Sequence, residues 1–215
     1  MPRIFDVEQN SEAWFEMRKG VITATRAAAL LKRTRNGFAT SRQHYTHKIA
    51  FERMNAIAPP RGAEGPQQRR GHEFEAEAAM VYEFEKGLTT QLCGFMLHDK
   101  HDVFGCSPDR LVGDDGLLEI KVPTAVEKHV DCLRNKSHAE EYAGQILHQL
   151  YVSGRDWVDL VSYNDGAPPN LQLAVHRLNR PDSWDEYETL LMAADNEIED
   201  VIIELKKIQT QAIAA

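Results

Sequence analysis

The 215-residue chain has the length and composition of one sizeable soluble domain. Hydrophobic residues make up 42% and charged residues 27% of the chain. No apolar run approaches the ~18 residues that span a bilayer, and the first residues lack a secretion-signal pattern. The three cysteines have no CxxC spacing, which argues against a disulfide framework or a zinc knuckle. We therefore expect a cytoplasmic protein without a membrane partner.

The formal net charge of −8 is unevenly distributed. Residues 1–72 carry a net charge of +7, whereas residues 73–215 carry −15. A basic amino-terminal part attracts phosphate groups, and an acidic remainder can hold a metal ion or face solvent. A solvated surface of uneven charge, with no functional meaning, is the alternative interpretation at this stage.

Helices are predicted to dominate the first part of the chain. Three helices precede residue 57, and Ser11 is a suitable N-cap for the first, which we expect to stop at Gly20. Residues 58–71 contain three prolines and three glycines, a composition that predicts a loop with a basic end. A fourth helix follows this loop, and Gly87 is its predicted C-terminal stop.

Strands are predicted next, in the runs 88–98, 103–112 and 117–122. The turn sequence GDDG joins the last two runs, and its Asp115-Gly116 pair is a strong hairpin signal. Two helices follow, at about 124–134 and 138–153, and then two strands flank the sequence DGAPPN. An acidic helix from Pro181 onward ends the chain, as either an outer solvent face or a docking surface.

This order of elements predicts one α/β (α+β) domain in which helices cover a central mixed β-sheet. Within residues 1–215 we expect a basic helical part, a sheet core and an acidic C-terminal helix. Their predicted bounds are residues 1–72, 73–178 and 181–211.

The third strand-like run carries two charged residues on one face. Because side chains alternate along a strand, Glu119 and Lys121 point to one side while Leu118 and Ile120 point to the other. Asp109 lies on the partner strand across the hairpin, close enough to share a site with Glu119. An edge hairpin whose charged face meets water is the alternative, but the apolar neighbours favour a central strand.

A divalent metal ion would explain this pair of acids. Two carboxylates a few ångströms apart repel each other unless a cation lies between them. Mg²⁺ prefers carboxylate oxygens and water, and the backbone carbonyl of Ile120 can add a ligand. An ammonium beside the ion, that of Lys121, can orient a bound water or neutralise charge on a phosphate. The pattern therefore points to metal-assisted phosphodiester hydrolysis.

Several further blocks carry a family resemblance. The chain resembles the PD-(D/E)xK nucleases, and among them the lambda exonuclease type of viral alkaline exonuclease, also called the YqaJ family. The resemblance implies a restriction-endonuclease-like core with a mixed sheet. The matching blocks are AWFEMRKGVITAT (13–25), GHEFE (71–75), CSPDRL (106–111), LEIKVP (118–123) and YAGQILHQL (142–150).

The resemblance also implies roles for the acids and the lysine. Asp109 and Glu119 correspond to metal ligands, together with the Ile120 carbonyl, and Lys121 corresponds to the catalytic lysine. Glu75 matches an acid on the preceding helix that assists with the metal or positions the attacking water.

A glutamine completes the catalytic group in the family. Gln145 matches the family's glutamine beside the catalytic lysine. Gln149 lies one turn further along the same predicted helix. The sequence leaves open which of the two amides faces the site.

Three residues are candidates for a phosphate pocket. Arg18 can bind a phosphate bidentately, and Thr25 offers a hydroxyl and free N–H groups near a helix start. Ser107 precedes the metal-binding aspartate by two residues. In the family the matching residues hold the 5′-phosphate at the duplex end, which would make the enzyme end-directed.

Arg69 and Arg70 lie where the family's loop approaches the fork of the duplex. The family can place an apolar wedge there to split the terminal base pairs. The sequence GPQQRRG offers no apolar side chain at that place, so a base stacked on Gln68 or an arginine would substitute.

The resemblance implies a Mg²⁺-dependent 5′→3′ exodeoxyribonuclease that digests linear double-stranded DNA from a 5′-phosphorylated end. It would release mononucleotides and leave a 3′ single-stranded tail for phage-type recombination. As cofactor, the resemblance implies one or two Mg²⁺ ions per subunit, for which Mn²⁺ can substitute. As partners, it implies a homotrimeric ring of this chain and a single-strand annealing protein. A bacterial or prophage origin is also implied. A structure-specific or restriction-type endonuclease and a non-catalytic DNA-end binder are the alternatives.

Overall fold

A computed structural model describes residues 1–35, 37–54, 65–136 and 138–214. Seven α-helices lie within these residues, and none of them is both long and apolar enough to cross a membrane. The helices are α1 (Glu12–Met17), α2 (Ala24–Leu31), α3 (Thr40–Arg53), α4 (Pro66–Lys86), α5 (Val126–Asn135), α6 (His138–Ser153) and α7 (Asp185–Ala214).

Eleven strands form three sheets within the described part of the chain. Five of them, β5, β8, β9, β10 and β11, make the main sheet. The strands are β1 (Arg3–Phe5), β2 (Ile22–Thr23), β3 (Arg33–Thr34), β4 (Gly37–Phe38), β5 (Thr90–Leu92), β6 (Phe95–Leu97), β7 (Phe104–Cys106), β8 (Arg110–Val112), β9 (Gly116–Lys121), β10 (Trp157–Tyr163) and β11 (Leu173–Asn179).

The main sheet confirms the predicted mixed α/β core. Its order is β11-β10-β9-β8-β5, with β9 and β10 parallel and the other pairs antiparallel. The hairpin predicted from Asp115-Gly116 joins β8 to β9, where Val112 pairs with Gly116. Strand β9, which carries Glu119 and Lys121, is therefore central rather than at an edge.

The main sheet is packed on both faces. Leu117 faces α6 and contributes to a core with Ile146 and Leu150. Leu118 and Ile120 face the other way, into a core that includes residues of α4. The alternation predicted for β9 is thus observed, and the charged side chains share the α6 face with Leu117.

The predicted runs 88–98 and 103–112 do not stay in one sheet, as a simple meander would. Each divides between the main sheet and a four-stranded sheet of order β1-β6-β7-β2. The first run crosses at Gly94, where a Cβ atom would lie 2.4 Å from the carbonyl oxygens of Phe5 and Val7. The second run crosses at Ser107 and Pro108, between β7 and β8. The segment after Cys106 therefore links the two sheets.

The prediction of a loop over residues 58–71 is wrong for residues 66–71, which are helical. Helix α4 begins at Pro66, whose missing N–H and fixed φ suit the first turn of a helix. The side-chain oxygen of Gln68 accepts a hydrogen bond from the Gly65 N–H at 3.0 Å, which caps this start. The first part of the predicted loop, residues 58–64, lies outside the described residues.

Two other predicted boundaries need comment. Gly87 ends α4 in the left-handed conformation with φ 64°, as predicted. The last helix begins at Asp185 and not at Pro181, because residues 181–184 form an irregular approach in which Ser183 Oγ accepts from the Asp185 N–H at 3.1 Å. The short strands β1 to β4 in the first 72 residues were not predicted.

Candidate active site

Asp109 and Glu119 are brought together by the β8–β9 hairpin. Arg110 pairs with Leu118 in the antiparallel register, so Asp109 and Glu119 are the next facing positions. Asp109 Oδ2 accepts a hydrogen bond from the Ile120 N–H at 2.6 Å, which holds the aspartate against β9. Glu119 is only 3% exposed, whereas Asp109 is partly accessible. The two carboxylates form the base of the site.

Lys121 lies beside this pair of acids. Its Nζ donates to Glu119 Oε1 at 2.6 Å and to Gln145 Oε1 at 3.4 Å. The ammonium also lies 4.4 Å from the ring centroid of Tyr142, a cation–π contact that limits its movement. The lysine is therefore held in one orientation by three side chains.

Both glutamines face the site, which answers the question that the sequence left open. Gln145 Nε2 donates to Glu119 Oε1 at 2.5 Å, and Gln149 Nε2 donates to Glu119 Oε2 at 2.6 Å. The two residues are four apart on α6, so their side chains share one face of the helix. The spacing alone would have indicated that both amides point the same way.

Glu75 completes a group of three acids. It lies on α4, partly buried, where the charges of Arg110, Glu119 and Lys121 act on its carboxylate. Burial raises the pKa of Glu75, and repulsion by Glu119 adds to this effect while Arg110 opposes it. A carboxyl group with a raised pKa is suited to accepting a proton from a bound water.

The acids repel each other in the absence of a cation. Burial raises the pKa of Asp109 well above its ordinary value, and the charges of Glu119 and Glu75 raise it further. Burial alone would lower the pKa of Lys121, but the charges of Glu119 and Asp109 outweigh this effect and raise it. A site with this excess of acid is stabilised by a bound cation.

The available donors fit a hard divalent ion that keeps part of its water shell. Oδ1 of Asp109 accepts no hydrogen bond from any described residue, so it can bind an ion. Within the described ranges, no three His, Cys, Asp or Glu side chains form a ready-made metal cage. Two carboxylates with a backbone carbonyl and waters suit Mg²⁺, which rarely uses an all-protein cage.

A second group of residues lies where the chain crosses between the two sheets. The Arg18 guanidinium stacks on the Trp14 ring, with 3.9 Å between Cζ and the ring centroid. Trp14 Nε1 donates to Ser107 Oγ at 2.9 Å, so the indole links two of the predicted phosphate-binding residues. Trp14 was not singled out in the sequence, although it precedes Arg18 by one helical turn.

Among the described residues, no ion pair or side-chain hydrogen bond joins Arg18 to a carboxylate, although the more distant charge of Glu52 favours its protonated form. Burial lowers the pKa of Arg18 to about 10, which leaves the guanidinium charged at neutral pH. A half-buried guanidinium that no carboxylate neutralises by direct contact can bind an anion.

Thr25 and Ser107 lie at the same edge of the four-stranded sheet. Strands β2 and β7 are parallel, and Thr23 pairs with Gly105. Thr25 and Ser107 each follow these partners by two residues, so both leave the carboxyl ends of paired strands. Thr25 is exposed at the second position of α2, and no described hydrogen bond joins it to Arg18 or Ser107.

Arg69 and Arg70 lie on the first turns of α4 and not on a loop. Arg70 forms an ion pair with Asp165, on the turn after β10, and its guanidinium lies 4.6 Å from the Phe74 ring centroid. Arg69 is exposed on the same helix. Neither of these contacts of Arg70 involves Asp109, Glu119 or Glu75.

Comparison with known proteins identifies the family. The model of the YqaJ-like viral recombinase domain matches residues 13–156, a range that contains all the site residues described above. The chain belongs to the YqaJ-like viral recombinase family. A search of curated proteins finds no match.

Solved structures include similar members of this fold. The alkaline exonuclease LHK-Exo from Laribacter hongkongensis is 33% identical, with a TM-score of 0.83 over 94% of this chain and 100% of that chain. The same values hold for LHK-Exo in complex with dAMP. A phage-related exonuclease from Haemophilus somnus 129PT is 11% identical, with a TM-score of 0.69 over 86% of this YqaJ-like chain and 96% of its own, which shows the shared fold alone.

Proposed function

We propose that this chain is a Mg²⁺-dependent 5′→3′ exodeoxyribonuclease that acts on linear double-stranded DNA with 5′-phosphorylated ends. Membership of the YqaJ-like family and the similarity to the alkaline exonuclease LHK-Exo support a nuclease. The finer proposal depends on one observation: the chain that carries Asp109, beside Lys121 and Glu119, also carries Ser107, which bonds the indole that stacks on Arg18.

Asp109, Glu119 and the Ile120 carbonyl would hold the cation in this proposal. When bound, Mg²⁺ supplies Lewis-acid polarisation of a phosphate oxygen and a more acidic water. Lys121 orients the attacking water through its ammonium and offsets negative charge that develops on the phosphate. Glu75, whose pKa is raised by burial, accepts the proton that the water gives up.

The phosphate pocket would make hydrolysis depend on a DNA end. Arg18 can donate two hydrogen bonds to a terminal 5′-phosphate, and Thr25 and Ser107 add hydroxyl donors. Ser107 is two residues from Asp109, and two residues of chain span at most about 7 Å. The terminal phosphate and the hydrolysed bond are thus held at a short, fixed separation, which favours release of single nucleotides. LHK-Exo, a relative, has been solved with the mononucleotide dAMP.

The wider proposal concerns partners and biological role. Release of nucleotides from 5′ ends leaves a 3′ single-stranded tail, which a single-strand annealing protein can use in phage-type recombination. A homotrimeric ring around the duplex, in the cytoplasm of a bacterial host, completes this proposal. Arg69 and Arg70 are candidate DNA contacts at the start of α4, and Arg70 must give up its ion pair with Asp165 to reach DNA.

Digestion of labelled DNA tests the proposal. A linear duplex with a 5′-phosphate should release labelled mononucleotides from its 5′ end with Mg²⁺, and none in EDTA. A closed circular duplex should remain intact because it has no end. Cleavage of the circle would instead indicate an endonuclease, and DNA-end binding without any metal-stimulated release would indicate a non-catalytic binder.

A further inference from the structure

The two oxygens of the Glu119 carboxylate are held by donors from different residues. Oε1 accepts from Lys121 Nζ at 2.6 Å and from Gln145 Nε2 at 2.5 Å. Oε2 accepts from Nε2 of Gln149 at 2.6 Å. Gln149 is fully buried on α6, so this contact is shielded from water.

The contact at Oε2 fixes the plane of the carboxylate. The terminal torsion of a glutamate has only a broad preference, so donors on Oε1 alone would leave the plane free to turn. A carboxylate oxygen can accept about two hydrogen bonds. Oε2 accepts one from the described residues and Oε1 accepts two, so Oε2 keeps a lone pair for a cation.

The carbonyl oxygen of the Gln149 amide indicates that this residue has a role beyond packing in the core. Its Oε1 is buried and accepts no hydrogen bond from any described residue. Turning the amide round would place this carbonyl against the Glu119 carboxylate, where two acceptors repel. A buried acceptor without a partner destabilises a fold, and the neighbouring α6 residues Ile146 and Leu150 are apolar.

We propose that Gln149 is a positioning residue that fixes the Glu119 carboxylate toward the cation. The inference rests on the proposed metal-dependent function. Gln145 contacts both Glu119 and Lys121, whereas the described hydrogen bond of the Gln149 side chain goes to Glu119 only. Loss of Gln149 should therefore weaken metal binding more than it disturbs the lysine.

Mn²⁺ binding in the absence of DNA tests this role. Titration followed by electron paramagnetic resonance should show a Kd about 10–100-fold weaker for Gln149→Met than for the wild type, the range typical of lost support for a metal ligand. Gln43→Met is the matched control, because Gln43 is an exposed helical glutamine on α3. It should bind Mn²⁺ like the wild type.

Two further measurements separate positioning from stability. The metal-free Tm of Gln149→Met should stay close to that of the wild type, because removal of the unpartnered carbonyl offsets the loss of the donor to Glu119. With DNA, the metal concentration needed for half-maximal rate should rise 10–100-fold, while kcat at saturating metal falls much less. A structural role alone would lower Tm and leave the Mn²⁺ Kd unchanged, which would overturn the inference.

A second variant covers the case in which Gln149→Met does not fold. Gln149→Asn keeps the amide but shortens its reach by one methylene, so it should show the same loss of Mn²⁺ affinity. Wild-type affinity for Mn²⁺ in this variant would overturn the inference about Gln149 but not the proposed function. A wild-type protein that neither binds Mn²⁺ nor degrades DNA would overturn the proposed function as well.

Discussion

The indole of Trp14 joins the two halves of the candidate phosphate pocket: its ring stacks under Arg18 at 3.9 Å, and its N–H donates to Ser107 at 2.9 Å. Trp14 is 7% exposed and packs in a small core with Val21 and Phe95. The arginine and the serine belong to distant parts of the chain, and this ring sets their separation.

Trp14→Phe should reduce the preference for phosphorylated ends. The variant keeps an aromatic ring under Arg18 but loses the donor to Ser107, a hydrogen bond worth about 1 kcal/mol or roughly fivefold. The ratio of kcat/KM on 5′-phosphate and 5′-hydroxyl duplexes measures the effect. Trp184→Phe, in a separate aromatic cluster, is the control. An unchanged ratio in Trp14→Phe would show that Ser107 needs no support from the indole.

Arg18→Ala should have a larger effect on the same ratio. Hydrogen bonds to charged groups contribute about 1.5–3 kcal/mol, so the preference for 5′-phosphate should fall ~10–100-fold. Degradation of 5′-hydroxyl ends should change little, because they lack the group that Arg18 binds. Arg180→Ala, at an exposed ion pair with Asp156, is the control. If Arg18→Ala degrades both ends at the wild-type ratio, the pocket is elsewhere.

Lys121→Ala should abolish turnover while DNA binding stays nearly intact. The lysine acts mainly on the transition state, and loss of one such donor lowers kcat by about 10²–10³-fold or more. Single-turnover digestion gives the rate, and a fluorescence binding assay gives the affinity. Lys128→Ala, in an exposed pair with Glu141, should behave like the wild type. Wild-type-like turnover in Lys121→Ala would refute the proposed role.

His148 should make the fold less stable as the pH falls. Its Nε2 lies 3.1 Å from the Ile22 carbonyl and so donates to it, while its Nδ1 lies 2.9 Å from the Tyr187 hydroxyl, which can donate to the neutral ring. Burial lowers the pKa of His148 from 6.5 to about 4. The unfolded chain therefore binds more protons between these values, and stability present above pH 6.5 is lost as the pH falls toward 4.

Urea unfolding at pH 7 and pH 5 measures this loss. His148 alone should cost about 2 kcal/mol between these two pH values. His148→Gln removes the titrating group, so its stability should fall less steeply than that of the wild type. Equal pH slopes for the two proteins would contradict the prediction, whatever the absolute stability of the variant.

The central hairpin could be predicted from sequence because its signals are local. Asp115-Gly116 specifies the turn, and the alternation around Glu119 and Lys121 specifies which side chains share a face. The glutamine spacing on α6 carries similar local information, although it does not say that each amide takes a different oxygen of Glu119.

The crossing between sheets could not be predicted in this way. Strand β6 pairs with β1, where Leu97 lies opposite Arg3, and a partner so distant in sequence leaves no periodic signal. Gly94 was an indirect sign, because a glycine inside a strand pattern often marks a close backbone approach. The start of α4 differs from the predicted loop because proline breaks a chain pattern but also suits the first turn of a helix, where Pro66 lies.

In the proposed enzyme, the link from Ser107 through Pro108 to Asp109 would join the choice of substrate terminus to the hydrolytic chemistry. A single proline separates the residue that contacts the indole from the residue that would bind the ion. The number of nucleotides that the proposed enzyme removes per cycle would therefore be set by the covalent geometry of this segment. No hinge or domain movement would be needed to set it. An inserted residue at this point would shift both functions at once.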